Sequence, residues 1–172
     1  MGFSQSIAVV SLVTWLSLTP IFSAEKVQPD FTAASVVLSG WLKIGITDSA
    51  VVRTLGAAGT KDIAVLEGAT GLYIQHWVYP KQGVTLEMSA DSAYGRGRVS
   101  AITLVAPCSL TTVQHIGIGS SESDVLQAYK GTIDKNNART SQKIVVGTMY
   151  DGMIFSVNNG MVARIFIGSA SY

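Results

Sequence analysis

Charge is scarce in this chain, and so are cysteine and histidine. Only 13% of the 172 residues are charged, with 12 Lys plus Arg against 11 Asp plus Glu, for a net charge of +1. A surface without a basic patch gives a phosphate backbone nothing to hold, so nucleic acid is excluded as a partner. Cys108 is the single cysteine, which excludes an intramolecular disulfide. A secreted chain with one thiol buries it or pairs it with another chain, and burial is expected here. His76 and His115 are the only histidines, and neither belongs to a metal-ligand spacing. Cys108 and His115 invite a thiol–imidazole pair, but Cys108 follows Pro107 in a connector with nothing to make a reactive niche. Asp91, Asp134 and Asp151 stand in turn-like stretches, and no two carboxylates are spaced for acid–base work. Ile116-Gly117-Ile118-Gly119 lacks the third glycine and acidic partner of a dinucleotide site. The expectation is a chain without catalytic residues, metal or cofactor.

The N-terminus holds an uncharged apolar run, Ile7 to Leu18, then Pro20 and small residues to Ala24. This reads as a secretory signal peptide, residues 1–24, cut near Ser23 or Ala24. The rival reading is an uncleaved anchor, for which the run falls short of the roughly 20 residues that a span needs. No cysteine closes the run, so a lipid anchor is excluded. The processed chain is expected in the periplasm or secreted, with no integral membrane span. It is long enough for one domain with a sizeable core.

One stretch occurs twice. Ile44-Gly45-Ile46-Thr47-Asp48-Ser49 leads to Val51, Val52, Leu55 and Gly56. Ile118-Gly119-Ser120-Ser121-Glu122-Ser123 leads to Val125, Leu126, Tyr129 and Gly131, and one interval separates Gly45 from Gly119 and Val51 from Val125. Each copy reads as a short helix. Thr47 and Ser121 are N-caps, and Asp48 and Glu122 put negative charge in the first turn, where the helix dipole favours it. Ser121 with Asp124 resembles a capping box. Val51 and Val125 face the core, and Gly56 and Gly131 stop the helices. Helices this short need an apolar surface to lie on.

After Glu25–Asp30, a lead-in, Val36-Val37-Leu38 is either a strand or a helical turn. Ala57–Ala69 reads as a loop with an apolar island, Ile63 to Leu66. Strands follow at Leu72–Tyr79, Val84–Ala90 and Arg98–Val105, with a hairpin turn at Lys81-Gln82-Gly83. After a polar loop, Asp134–Gln142, strands recur at Lys143–Tyr150, Met153–Val157 and Met161–Ile167. Asp151-Gly152 and Asn158-Asn159-Gly160 are hairpin signals. The fold class is therefore α+β: two tandem helix-plus-antiparallel-strand repeats, 39–107 and 108–172, after a lead-in at 25–38. The repeats would form one sheet covered by helices on one face.

The recurring Gly-x-hydroxyl helix start, a strand ending in Tyr, and strands such as Gly83-Val84-Thr85-Leu86-Glu87-Met88 resemble a known group. It is the tandem-repeat fold of β-lactamase inhibitory protein and of the small outer-membrane assembly proteins of the SmpA/OmlA type. The resemblance covers about Ser39 to Gly168. It implies a non-catalytic module that clasps a protein partner, as an inhibitor or immunity factor, or else an envelope structural or assembly factor. The inhibitor carries disulfides within its halves where this chain has Cys108 alone. The assembly proteins are lipidated and have one repeat unit.

Within the first strand, Leu72, Ile74, His76 and Val78 share one side, and Tyr73, Gln75, Trp77 and Tyr79 the other. The first set, His76 included, is expected under the helices. The second is expected on the open face of the sheet, since Tyr and Trp are the residues most enriched at binding hot spots; the alternative is that the faces are reversed and Trp77 is core. Tyr150, ending the equivalent strand of the second half, would extend the patch. The expected protein-binding residues are thus Tyr73, Gln75, Trp77, Tyr79 and Tyr150.

Overall fold

The two capped stretches form α1 (Asp48–Leu55) and α2 (Glu122–Ala128). The computed structural model describes residues 2, 31–133, 139–140 and 142–170. The expected cleavage site, and the signal peptide apart from Gly2, lie outside them.

Both caps form as the sequence implies. Thr47 Oγ1 accepts the Ala50 N–H at 3.4 Å, and Ser121 Oγ accepts the Asp124 N–H at 3.1 Å. Asp124 Oδ2 closes the box by accepting the Ser121 N–H at 3.3 Å. Gly45 and Gly119 both sit at φ +84°, a left-handed conformation that glycine adopts without steric cost. That twist lets each donate its N–H, at 2.8 Å, to a strand of its own half: Gly45 to Val99 and Gly119 to Val162. Gly56, at φ +80°, ends α1 as expected. Gly131 does not end α2. The helix stops at Ala128, with Tyr129 as its C-cap at φ −113°. The Tyr129 ring turns into the core against Phe155 and Phe31, at centroid distances of 5.6 and 6.2 Å, and its Oη lies 2.8 Å from Thr112 Oγ1.

The strands are β1 (Thr60–Lys61), β2 (Val65–Leu66), β3 (Tyr73–Tyr79), β4 (Val84–Ala90), β5 (Arg98–Val105), β6 (Arg139–Thr140), β7 (Lys143–Gly147), β8 (Gly152–Asn158) and β9 (Met161–Gly168). They join in one antiparallel sheet of order β1-β3-β4-β5-β9-β8-β7-β6, with β2 also pairing β3. The fold is α+β. The expected loop after α1 holds the small strands β1 and β2, and its apolar island is exposed at Ile63, Val65 and Leu66. The undecided stretch around Val36 is neither alternative in full: a 3₁₀ turn at Ala33–Ser35 precedes an isolated bridge between Leu38 and Leu42.

Register decides which side of the sheet is core. Trp77, Leu86, Ile102, Ile167, Met153 and Val146 pair successively across six strands, and all are buried. Tyr79, Val84, Leu104, Ile165, Phe155 and Ile144 form the next buried row. Val51 of α1 and Val125 of α2 belong to the same apolar cluster. Trp77 is 7% and Tyr79 1% exposed, so the sides expected for β3 are reversed. Tyr79 Oη reaches the Gly56 carbonyl at 3.4 Å, so the phenol enters the core with a hydrogen bond. Trp77 Nε1 donates to Gln75 Oε1 at 2.8 Å, and Lys61 Nζ lies 3.3 Å over its ring.

Cys108 is buried, as expected. Burial pushes its thiol up from the ordinary value, outweighing a hydrogen bond with the Leu110 backbone that acts the other way. A neutral, enclosed thiol is inert. Cys108→Ser should cost about 1 kcal/mol of stability, from the buried hydroxyl, and change no binding activity. Denaturant titration checks the first point. Loss of a specific activity with the fold intact would give the thiol a chemical role.

Candidate functional site

The side chains on the other side of the sheet are polar, small or half-buried. In β3 they are Ile74, His76 and Val78; in β4, Thr85, Glu87 and Ser89. Val78, Thr85, Thr103, Phe166 and Ile154 pair in one row across the middle. His76, Glu87 and Ala101 form the row beyond it, and Arg164, Ser156 and Lys143 a row on the opposite flank. A cleft of ≈ 420 Å³ opens here, lined by His76, Thr85, Glu87, Ala101, Thr103, Arg164, Phe166 and the chain at Ser169–Ala170.

Two small residues meet beside the cleft. Gly168 faces Ala101 so closely that a Cβ on Gly168 would stand 2.9 Å from the Ala101 Cβ and 3.4 Å from Phe166 Cζ. At φ +147°, Gly168 is also in a region that side chains disfavour. A larger residue at Gly168 would crowd Ala101.

His76 is exposed, contrary to the expectation that it faces the core. Its backbone N–H donates to Asp62 Oδ1 and its ring Nδ1 meets Asp62 Oδ2, both at 2.7 Å. Its Nε2 stands 3.9 Å from Glu87 Oε2, and Glu87 Oε1 accepts the Ser100 hydroxyl at 2.7 Å. Partial burial opposes ionisation of Asp62, yet the hydrogen bonds and charge of His76 prevail and hold its carboxyl below the usual value. Both ring nitrogens therefore face carboxylates, neither an alcohol nor a thiol. This arrangement orders the β1–β3 edge and places fixed acidic groups at one end of the cleft. The imidazole of His76 therefore has no hydroxyl or thiol to activate, and the Ser100 hydroxyl bonds Glu87 instead.

The five expected contact residues do not come together. Trp77 and Tyr79 are core, and Gln75 braces Trp77 and the Asp62 backbone. Tyr73 is half-buried on that same side of β3, beside Trp77 and Met88 around a smaller pocket. Tyr150 is 75% exposed, on the turn between β7 and β8, a hairpin separated from β3 by three strands. Asp62, Glu87, Thr103, Arg164 and Phe166 were missed as site residues. Their signal is the polar parity of β4: Thr85, Glu87 and Ser89 mark the exposed side, and hairpin pairing puts His76 there too.

Compared with known proteins, the chain matches no family model, no curated protein and no solved structure. Among the described residues, no group of three or more His, Cys, Asp or Glu could hold a metal ion, and no helix is long and apolar enough to cross a membrane.

Proposed function

We propose that the chain is a non-catalytic protein-binding module of the periplasm or the secreted fraction, an inhibitor or immunity-type protein. It clasps its partner through the exposed face of the sheet. In this reading the two halves are copies of one helix-plus-strand unit, and their helices cover one face only. The matched hydrogen bonds at Gly45 and Gly119 support the copying, as do those from Asp48 to Gly97 and Glu122 to Gly160, both 2.9 Å. The resemblance to β-lactamase inhibitory protein points the same way.

The observation that carries the binding role is the row Val78, Thr85, Thr103, Phe166 and Ile154. All five are half-buried, and Thr85, Thr103 and Phe166 line the cleft, with charged groups at its ends. An apolar centre with a polar rim is how protein interfaces are built. The contact residues are therefore reassigned from Trp77 and Tyr79 to the parity of His76 and Phe166.

Phe166→Ala tests this. Affinity capture from periplasmic extract and from secreted proteins, with the parent as bait, should yield a specific partner. Phe166→Ala should weaken its binding by about 2 kcal/mol, roughly 30-fold, with a melt within a few degrees of the parent. Undiminished capture by Phe166→Ala would remove this face from the interaction. A single secreted enzyme as partner fits an inhibitor, whereas several envelope proteins fit an assembly factor.

A further inference from the structure

We propose that the cleft receives a carboxylate side chain of the partner, paired with Arg164. This rests on the protein-binding reading above and adds the chemistry of what binds. The acids around the cleft are already engaged. Asp62 is held by the backbone and ring of His76, and Glu87 by the Ser100 hydroxyl with His76 beside it. Arg164 is different. Its Nη2 donates to Thr103 Oγ1 at 3.4 Å, and among the described residues no carboxylate lies within ion-pair distance of it. A guanidinium carries five N–H donors in a planar fork, and most of these remain free toward the cleft and solvent.

The surroundings select an anion for that end. Lys143 shares the row of Arg164, with Ser156 between them, so the flank is positive. Glu87, at the far end of the cleft, repels a carboxylate from there and confines it to the Arg164 side. Phe166 gives the fork an apolar wall, which strengthens a charge pair by excluding water. Thr103, adjoining Phe166 in register, supplies a hydroxyl next to the fork. Bidentate pairing of guanidinium with carboxylate is the strong, directional form of this contact, which a lysine does not reproduce.

The probe is a pair of capped tripeptides, acetyl-Gly-Glu-Gly-amide and its Gln counterpart, titrated into the ¹⁵N-labelled protein. The Glu peptide should shift the signals of Arg164 Nε–H, Thr103 and Phe166, with affinity about tenfold above that of the Gln peptide. Arg164→Gln should abolish the difference without changing the melt, since Arg164 is exposed. Arg164→Lys should restore only part of it. Equal shifts from both peptides, no shifts from either, or an effect that survives Arg164→Gln would overturn the proposal. So would inorganic phosphate shifting these signals more strongly than the Glu peptide, which would mark a site for free oxyanions. If a captured partner depends on Phe166 but not on Arg164, the acid pairing falls while the protein-binding reading stands.

Discussion

Val51→Asp and Val125→Asp should each leave no folded protein at room temperature. Both valines are 0% exposed, one at the centre of each helix, and both belong to the cluster formed by the buried rows of the sheet. A carboxylate placed there has no partner. Ionised it loses its hydration, and protonated it still lacks hydrogen bonds, so the cost is several kcal/mol in either form. Lost packing against the neighbouring side chains adds to it. A domain of this size is stable by only about 5–15 kcal/mol, which such a loss largely consumes. Circular dichroism of the two variants should show equivalent loss of structure. If one of them melts like the parent, the two helices do not hold equivalent places in the core.

Trp77→Ala should cost about 3–5 kcal/mol of stability, lowering the melt by roughly 10 °C or more. The indole fills the end of the row that runs through Leu86, Ile102 and Ile167, with its N–H satisfied by Gln75. Removing it leaves a cavity, strands the Gln75 oxygen and takes away the ring beneath the Lys61 ammonium. Affinity for the partner, measured per folded molecule, should not change. This is the reverse of what an exposed hot-spot tryptophan would do. A melt close to the parent's with binding lost would restore Trp77 to the interface. Together with Phe166→Ala, the variant separates the two sides of the sheet, one moving stability and the other affinity.

Why β3 misleads when read alone is physical. Alternation says which residues share a side but not which side is inward, and both parities of Tyr73–Tyr79 carry large side chains. Trp and Tyr serve equally well in cores and at interfaces, because each combines a large apolar body with one polar atom. The neighbouring strand resolves the choice. In β4 the parity is unambiguous, Leu86 and Met88 against Glu87 and Ser89, and the four-residue connection from Pro80 to Gly83 sets Trp77 opposite Leu86. His76 follows Glu87 to the other side.

Local pieces of the fold could be read from neighbouring residues. Caps at Thr47 and Ser121, the glycine stop at Gly56, the hairpin turns and most limits of the longer strands were legible because each depends on residues only a few positions apart. Burial of Cys108 was legible from composition instead, as the lone thiol of the chain. Tertiary structure alone decided where α2 ends, because Tyr129 turns into a core whose other members are distant in the chain. It also decided the site. Asp62 meets His76 through the pairing of β1 with β3, and Arg164 meets Thr103 because β9 returns to lie beside β5. No periodicity carries that information, since strand order depends on how two halves of the chain share one core rather than on any local pattern.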